Sequence, residues 1–237
     1  MATIPRHPAL ACERPLIVTE TREPTRLMLV VETGEGALAR LEAALAAGDV
    51  ASVVIRAAAG RALDAASVKP LVAAIQARGV AALIDGDARL ARTLKADGVH
   101  VPVSDSGSAA YAEAREIVGS GAIVGFDAGR SRHDAMTAGE EGADYVAFGI
   151  PAFVKDRASA EERQIDLVAW WTEIFEVPAV AFDVADMALV GALADAGADF
   201  VAVSLSPGAP PSAAAELVRA AMAALGTTTP SNVQGEP

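Results

Sequence analysis

The chain has 237 residues, 52% of them hydrophobic and 21% charged, enough to bury a sizeable core within the usual length of one α/β barrel domain. A formal net charge of −12 argues against a nucleic-acid groove and an anionic membrane surface, since both need clustered Lys and Arg. The single cysteine, Cys12, cannot form an internal disulfide, which suits a reducing cytoplasm.

Residues 1–25 are rich in Pro, Arg and Glu, lack helical or strand period, and read as an N-terminal extension. Within it, Leu16-Ile17-Val18 is short enough to add an edge segment or to cover a barrel floor. Leu10-Ala11-Cys12 follows Pro5, Arg6, His7 and Pro8, so the apolar core of a signal peptide is missing. No apolar run elsewhere has the length of a membrane span.

From Arg26 onward a short β-branched run, an Ala- and Leu-rich stretch of helical period and a turn recur. The spacing predicts strands at Leu27–Val31, Ser52–Arg56, Ala81–Asp85, Gly98–Val103, Ile123–Asp127, Tyr145–Gly149, Ala179–Asp183 and Phe200–Ser204. Helices are expected at Ala37–Ala46, Ala65–Ala77, Ala109–Val118, Asp166–Phe175, Met187–Ala196 and Ser212–Leu225. Gly48, Gly79, Gly119, Gly142 and Gly197 stand where helices should stop. The strands are nearly continuously apolar, as parallel strands covered by helices are. Eight such units predict one (β/α)8 TIM barrel over 26–225, with 226–237 as a C-terminal tail.

In such a barrel, functional groups lie at the C-terminal ends of the strands. That inventory contains Glu32, Arg56, Asp85, Asp87, His100, Asp105, Asp127, Arg130, Arg132, Lys155, Asp156, Arg157, Asp183, Asp186, Ser204 and Ser206. Asp85, Asp87 and Asp105, if convergent, suit a hard divalent cation such as Mg2+; the alternative is helix capping, which is the expectation for Asp64, Asp166 and Asp186. His100 points either toward a ligand or into a hydrogen bond of the packed interior. His133 reads as a surface residue, and adjacent Trp170 and Trp171 as packing residues. No phosphate-binding glycine loop and no zinc spacing is present.

Three stretches, Leu94-Lys95-Ala96-Asp97-Gly98-Val99-His100, Gly142 to Gly149 and Ala196 to Ser204, together with Arg56, carry a resemblance over about residues 26–206. In order and spacing they resemble the thiamine phosphate synthase and TenI (thiazole tautomerase) superfamily of (β/α)8 barrels. The resemblance implies a role in thiamine biosynthesis or salvage: a transferase joining hydroxymethylpyrimidine diphosphate to a thiazole phosphate, or a TenI-like isomerase. It also implies Mg2+ near Asp105, a small-molecule ligand at the barrel mouth, and dimers or trimers. Neither nucleic acid nor membrane is an expected partner.

Set against that family, the strand-two Gln and Lys become Val54 and Ala58, and the strand-three Asn-Asp pair becomes Asp85-Gly86. The Ser and His after strand five fall on Asp127 and about Gly129 or Arg130, and the phosphate-receiving Gly-Gly after strand seven falls on Asp183-Val184. The phosphate-contacting Gly before helix six aligns with Gln164. A carboxylate repels a phosphate that glycine would admit. The sequence therefore reads as a divergent member acting on or binding a pyrimidine or thiazole compound, with Arg56 as anion contact and Lys155 or Arg157 closing over the ligand. A true thiamine phosphate synthase, a non-catalytic barrel binding a small molecule or protein, and another barrel reaction on an unphosphorylated or cationic ligand are the alternatives.

Overall fold

All eight strands form in the computed structural model, which describes residues 23–104, 106–151, 154–184 and 186–226. They pair in parallel and in chain order until the last closes on the first. The strands are β1 (Arg26–Glu32), β2 (Val50–Arg56), β3 (Ala81–Asp85), β4 (Gly98–Val101), β5 (Ile123–Asp127), β6 (Tyr145–Gly149), β7 (Ala179–Val184) and β8 (Phe200–Leu205). The helices are α1 (Ala37–Leu45), α2 (Ala65–Gln76), α3 (Ala88–Leu94), α4 (Ser108–Val118), α5 (Arg132–Glu140), α6 (Arg157–Ile174), α7 (Met187–Asp195) and α8 (Pro211–Gly226).

Side chains alternate across each strand, so one set fills the barrel and the other packs under the helices. The inner cluster holds Met28, Val30, Val54, Leu83, Tyr145, Ala147, Val180, Phe182 and Ala202. Leu29, Val53, Ile84, Val124, Phe148 and Val203 belong to the larger outer cluster, with Leu41, Ile75, Trp171 and Val218 from the helices. One parity thus sends Arg56, Asp85, His100, Asp127 and Ser204 inward, toward the C-terminal mouth or just beneath it.

The Ala-Asp pair that repeats before the even strands is a structural latch. Asp97 Oδ2 accepts the Ala82 amide of β3 at 2.8 Å, Asp144 Oδ2 the Val124 amide of β5 at 2.7 Å, and Asp199 Oδ2 the Ala179 amide of β7 at 2.8 Å. Each carboxylate satisfies a backbone donor at the start of the neighbouring strand, on the barrel floor. The motifs behind the family resemblance at these positions therefore hold the strands together.

Several boundaries differ from the sequence reading for local reasons. β4 ends at Val101 because Pro102 has no amide to continue the ladder. β7 continues to Val184 through a register shift, with Asp183 in the left-handed region at φ 58°. α6 begins at Arg157, two turns earlier than the apolar period shows, because Asp156 caps it through the Ser159 amide and hydroxyl at 3.2 and 2.9 Å. Asp166 consequently lies inside α6 and caps nothing, whereas Asp64 and Asp186 cap α2 and α7 as expected. Gly79, Gly119, Gly142 and Gly197 take positive φ, but Gly48 does not; a Cβ there would lie 2.9 Å from Val218 Cγ1, so close approach of α8 is its reason.

The interior leaves no room at two strand glycines. A Cβ on Gly98 would stand 2.0 Å from the Ile123 carbonyl oxygen, and one on Gly125 would lie 1.8 Å from Tyr145 Cζ, inside the ring. Gly125→Ala is therefore expected to displace Tyr145 and to lower stability by about 3 kcal/mol or more, as severe overpacking does, measured by urea unfolding; a loss within about 0.5 kcal/mol, ordinary for a tolerated substitution, would contradict this packing.

Candidate functional site

The mouth is organised by one cation between two carboxylates. Arg56, at the end of β2, donates Nε–H to Asp85 Oδ2 at 3.0 Å and Nη1–H to Asp183 Oδ1 at 3.2 Å. Burial draws the guanidinium pKa down, but Asp183 and Asp85 together hold it above its ordinary value. Burial raises Asp85 above the usual carboxylate range against the opposing pull of Arg56. The other oxygen of Asp85, Oδ1, is buried without a hydrogen-bond partner among the described residues.

Beneath this triad the Arg56 guanidinium lies 5.4 Å from the centre of the Phe182 ring, and His100 stacks on that ring at 4.3 Å. His100 is fully buried, with Nδ1 2.8 Å from the Tyr145 hydroxyl. Burial holds its pKa down to about 3, with Arg56 adding to the effect and Asp183 opposing it. The imidazole is thus neutral and belongs to the packed interior, the second of the two roles read from sequence. Among the described residues its Nε2 has no hydrogen-bond partner.

Across the barrel, Asp127 ends β5 and is only 6% exposed. Its Oδ1 accepts the Gly129 and Gly149 amides at 2.8 and 3.1 Å. A Cβ on Gly149 would lie 2.7 Å from Oδ2, so the carboxyl occupies space that only glycine leaves open. Burial raises the Asp127 pKa to about 7; the two amides oppose the rise, while Asp183 and Asp85 add to it.

Ser204 is exposed on β8 and joins Asp183, Val184 and Ser206 around a cavity of about 300 Å³. The remaining candidates are not brought into this group. Arg130 and Lys155 are exposed in the loops after β5 and β6, and Arg157 is the first residue of α6. Asp87 caps α3 through the Leu90 amide at 2.8 Å and lines a separate cavity with Pro102, Ser104 and Glu113. Asp105 lies outside the described residues. Among the described residues no group of three His, Cys, Asp or Glu side chains could hold a metal ion. Asp85 is engaged with Arg56 and Asp87 with the N-terminus of α3, and no chemical step is routed through a metal.

Gln164 corrects the alignment drawn from the resemblance. It sits within α6, almost completely buried, and Nε2 donates to the Phe148 and Phe182 carbonyls at 2.6 and 2.8 Å. The position expected before helix six is filled by helix, and its side chain ties β6 to β7. Trp171 is buried and donates Nε1–H to Val177 O at 2.7 Å, while Arg132 lies 4.5 Å from the Trp170 ring centre, so both tryptophans pack.

A family model described as thiamine monophosphate synthase matches residues 27–206. The chain belongs to the thiamine monophosphate synthase family. Among its relatives, the thiamine-phosphate synthase of Erythrobacter litoralis is 41% identical over 194 residues, covering 79% of this chain and 90% of that protein. The thiamine-phosphate synthase of Rhodospirillum centenum is 44% identical over 171 residues, 69% of this chain and 78% of that one. The solved thiamine phosphate pyrophosphorylase of Pyrococcus furiosus superposes with a TM-score of 0.68 at 20% identity, covering 86% of this chain and 97% of that one, and so supports the fold alone. Among the described residues no helix is long and apolar enough to cross a membrane.

Sequence reasoning missed Tyr145, Phe182 and the Gly149 amide as parts of this site. Strand parity carries a signal for Tyr145, which shares the inward face with Ala147; nothing local marks Phe182, because its function depends on Arg56 and His100 from other strands. The Asp127 carboxyl has a testable consequence for stability. Its folded pKa of about 7 exceeds the ordinary 3.8, so its contribution is complete below pH 3.8 and lost as pH rises through about 7, a swing of about 4 kcal/mol. Denaturant unfolding across this range should show Asp127→Asn gaining on the parent protein by a few kcal/mol as pH rises; a constant difference would show that this carboxyl does not resist ionisation.

Proposed function

We propose that this chain acts in thiamine biosynthesis as a thiamine-phosphate synthase, joining hydroxymethylpyrimidine diphosphate to thiazole phosphate in the cytoplasm. The observation that carries this reading is the 41% identity extending over 90% of a relative of that name. The chemistry breaks a carbon–oxygen bond and releases diphosphate, so the site must stabilise a departing polyanion. At the mouth, Arg56 supplies the positive charge nearest the inward-facing carboxylates, and inward-facing Ser204 supplies a hydroxyl donor.

One observation favours a second reading, a divergent member that binds a pyrimidine or thiazole compound without standard turnover. Arg56 Nε and Nη1 are engaged by Asp85 and Asp183. A charge pair about 4 Å apart at intermediate dielectric interacts by about 4 kcal/mol, enough for Asp183 to offset much of a phosphate's attraction to Arg56.

Incubation with hydroxymethylpyrimidine diphosphate and thiazole phosphate, with and without Mg2+, followed by chromatographic detection of thiamine phosphate, separates the readings. Product formation is the expected result. Calorimetric binding of either compound without product would replace the synthase reading by the second.

A further inference from the structure

A cavity also opens at the end of the barrel opposite the mouth. Arg26, Ala81, Ile123, Tyr145 and Phe200, which line it, are the first residues of β1, β3, β5, β6 and β8, so it opens through the floor. It encloses about 240 Å³ and reaches Met28 and Leu83 of the inner cluster. Ile123 and Phe200 at its rim are only partly buried, although both pack against that cluster. A (β/α)8 interior is normally filled by layers of side chains, and apolar surface left at its end is surface whose burial would stabilise the fold.

The described chain starts at this opening. Thr25 Oγ1 donates to the Ala198 carbonyl at 2.7 Å and the Arg26 amide to the Asp199 carbonyl at 2.9 Å, so the chain leading into β1 is fixed at the rim. Glu23 and Pro24 share a neighbouring groove with Arg26, and Met222 and Leu225 of α8 form its apolar side. Residues 1–22 lie outside the described residues and must join the barrel here. Among them Leu16-Ile17-Val18 is the only run of three branched apolar side chains, and Val18 stands eight positions before Arg26. Eight residues span up to about 27 Å when extended. Eight strands about 4.8 Å apart and tilted close a ring on the order of 15 Å across, so the run reaches every part of the floor opening. Its two β-branched residues, with Pro15 ahead of them, favour an extended chain, in which the side chains of residues 16 and 18 face the same way.

We propose that Leu16-Ile17-Val18 of the same chain turns back under the barrel and seats Leu16 and Val18 in the floor cavity, against Ile123, Tyr145 and Phe200. This goes beyond the synthase reading and does not depend on it. The run is tethered close to the cavity, so seating it costs loop closure alone, whereas a separate apolar partner would also lose its own translational and rotational freedom. Tyr145 gives the contact a consequence for the rest of the interior. Its ring lines the floor cavity while its hydroxyl lies 2.8 Å from His100 Nδ1 in the layer beneath the mouth. The seated run thus supports, from below, the stack of His100 and Phe182 over which Arg56 lies.

The test uses the full chain. Isotope-edited NMR spectra of the parent protein should show nuclear Overhauser effects between the methyl groups of Leu16 and Val18 and the ring protons of Tyr145 and Phe200, a reading that needs no variant to fold. The double variant Leu16→Asp, Val18→Asp should lower the thermal midpoint by about 5 °C or more, as the loss of even one buried apolar side chain does in a domain of this size. Leu16→Met with Val18→Ile, which keeps the apolar volume, should retain most of the midpoint. A mixture of differently labelled chains separates the occupants, because effects that cross between chains would assign the cavity to a second copy. Such crossing effects, the absence of any effect from Leu16 or Val18 to the floor rings, or an unchanged midpoint for the aspartate variant overturns the proposal.

Discussion

The mouth of this barrel depends on one guanidinium. Arg56 leaves the end of β2 on the inward face, passes over the Phe182 ring and bonds to a carboxylate on β3 and another on β7. Without that cation Asp85 and Asp183 would face each other and Asp127 across a partly buried space, an arrangement that electrostatics opposes. With it, two of the three charges are shared by a single donor and the third carboxyl is driven toward its neutral form. The state of every other group follows. His100 stays neutral below the ring that Arg56 covers, and the positive charge at the mouth is already engaged.

The scaffold makes such an arrangement affordable by keeping its requirements apart. On the floor, Asp97, Asp144 and Asp199 fix strand starts through backbone amides. In the middle, Gly98 and Gly125 give up their side chains so that Ile123 and Tyr145 can fill the interior. Only at the top do charged side chains converge. Gln164 belongs to the scaffold too, since its amide joins β6 and β7 directly beneath the two strand ends that carry the Gly149 amide and Asp183.

The eightfold recurrence of strand and helix made the barrel legible from the sequence, and reading the C-terminal strand ends picked out Arg56, Asp85, His100, Asp127 and Ser204, which the structure turns inward. The pairing of Arg56 with residues 29 and 127 positions away was not legible, because it depends on barrel closure and on the left-handed turn at Asp183. Asp87 and Asp85 are two residues apart and look equivalent in sequence, yet one caps a helix and the other closes an ion pair. The early start of α6 was hidden because its first turns are polar, so their period is not apolar and only the Asp156-to-Ser159 cap marks it. Family likeness read Gln164 as the counterpart of a phosphate contact, when helix geometry makes it a core residue.

Asp183, bonded to Arg56 Nη1, competes with any incoming anion for that cation. Glycine suits the φ of 58° at this position at least as well as aspartate does, so Asp183→Gly removes the competing carboxylate without demanding a new backbone. The diphosphate affinity of that variant, measured by titration calorimetry beside the parent protein, is the direct test. An increase of about tenfold or more, equivalent to about 1.4 kcal/mol, is the predicted result; unchanged or weaker binding would contradict the claim that the Arg56–Asp183 pair governs the mouth.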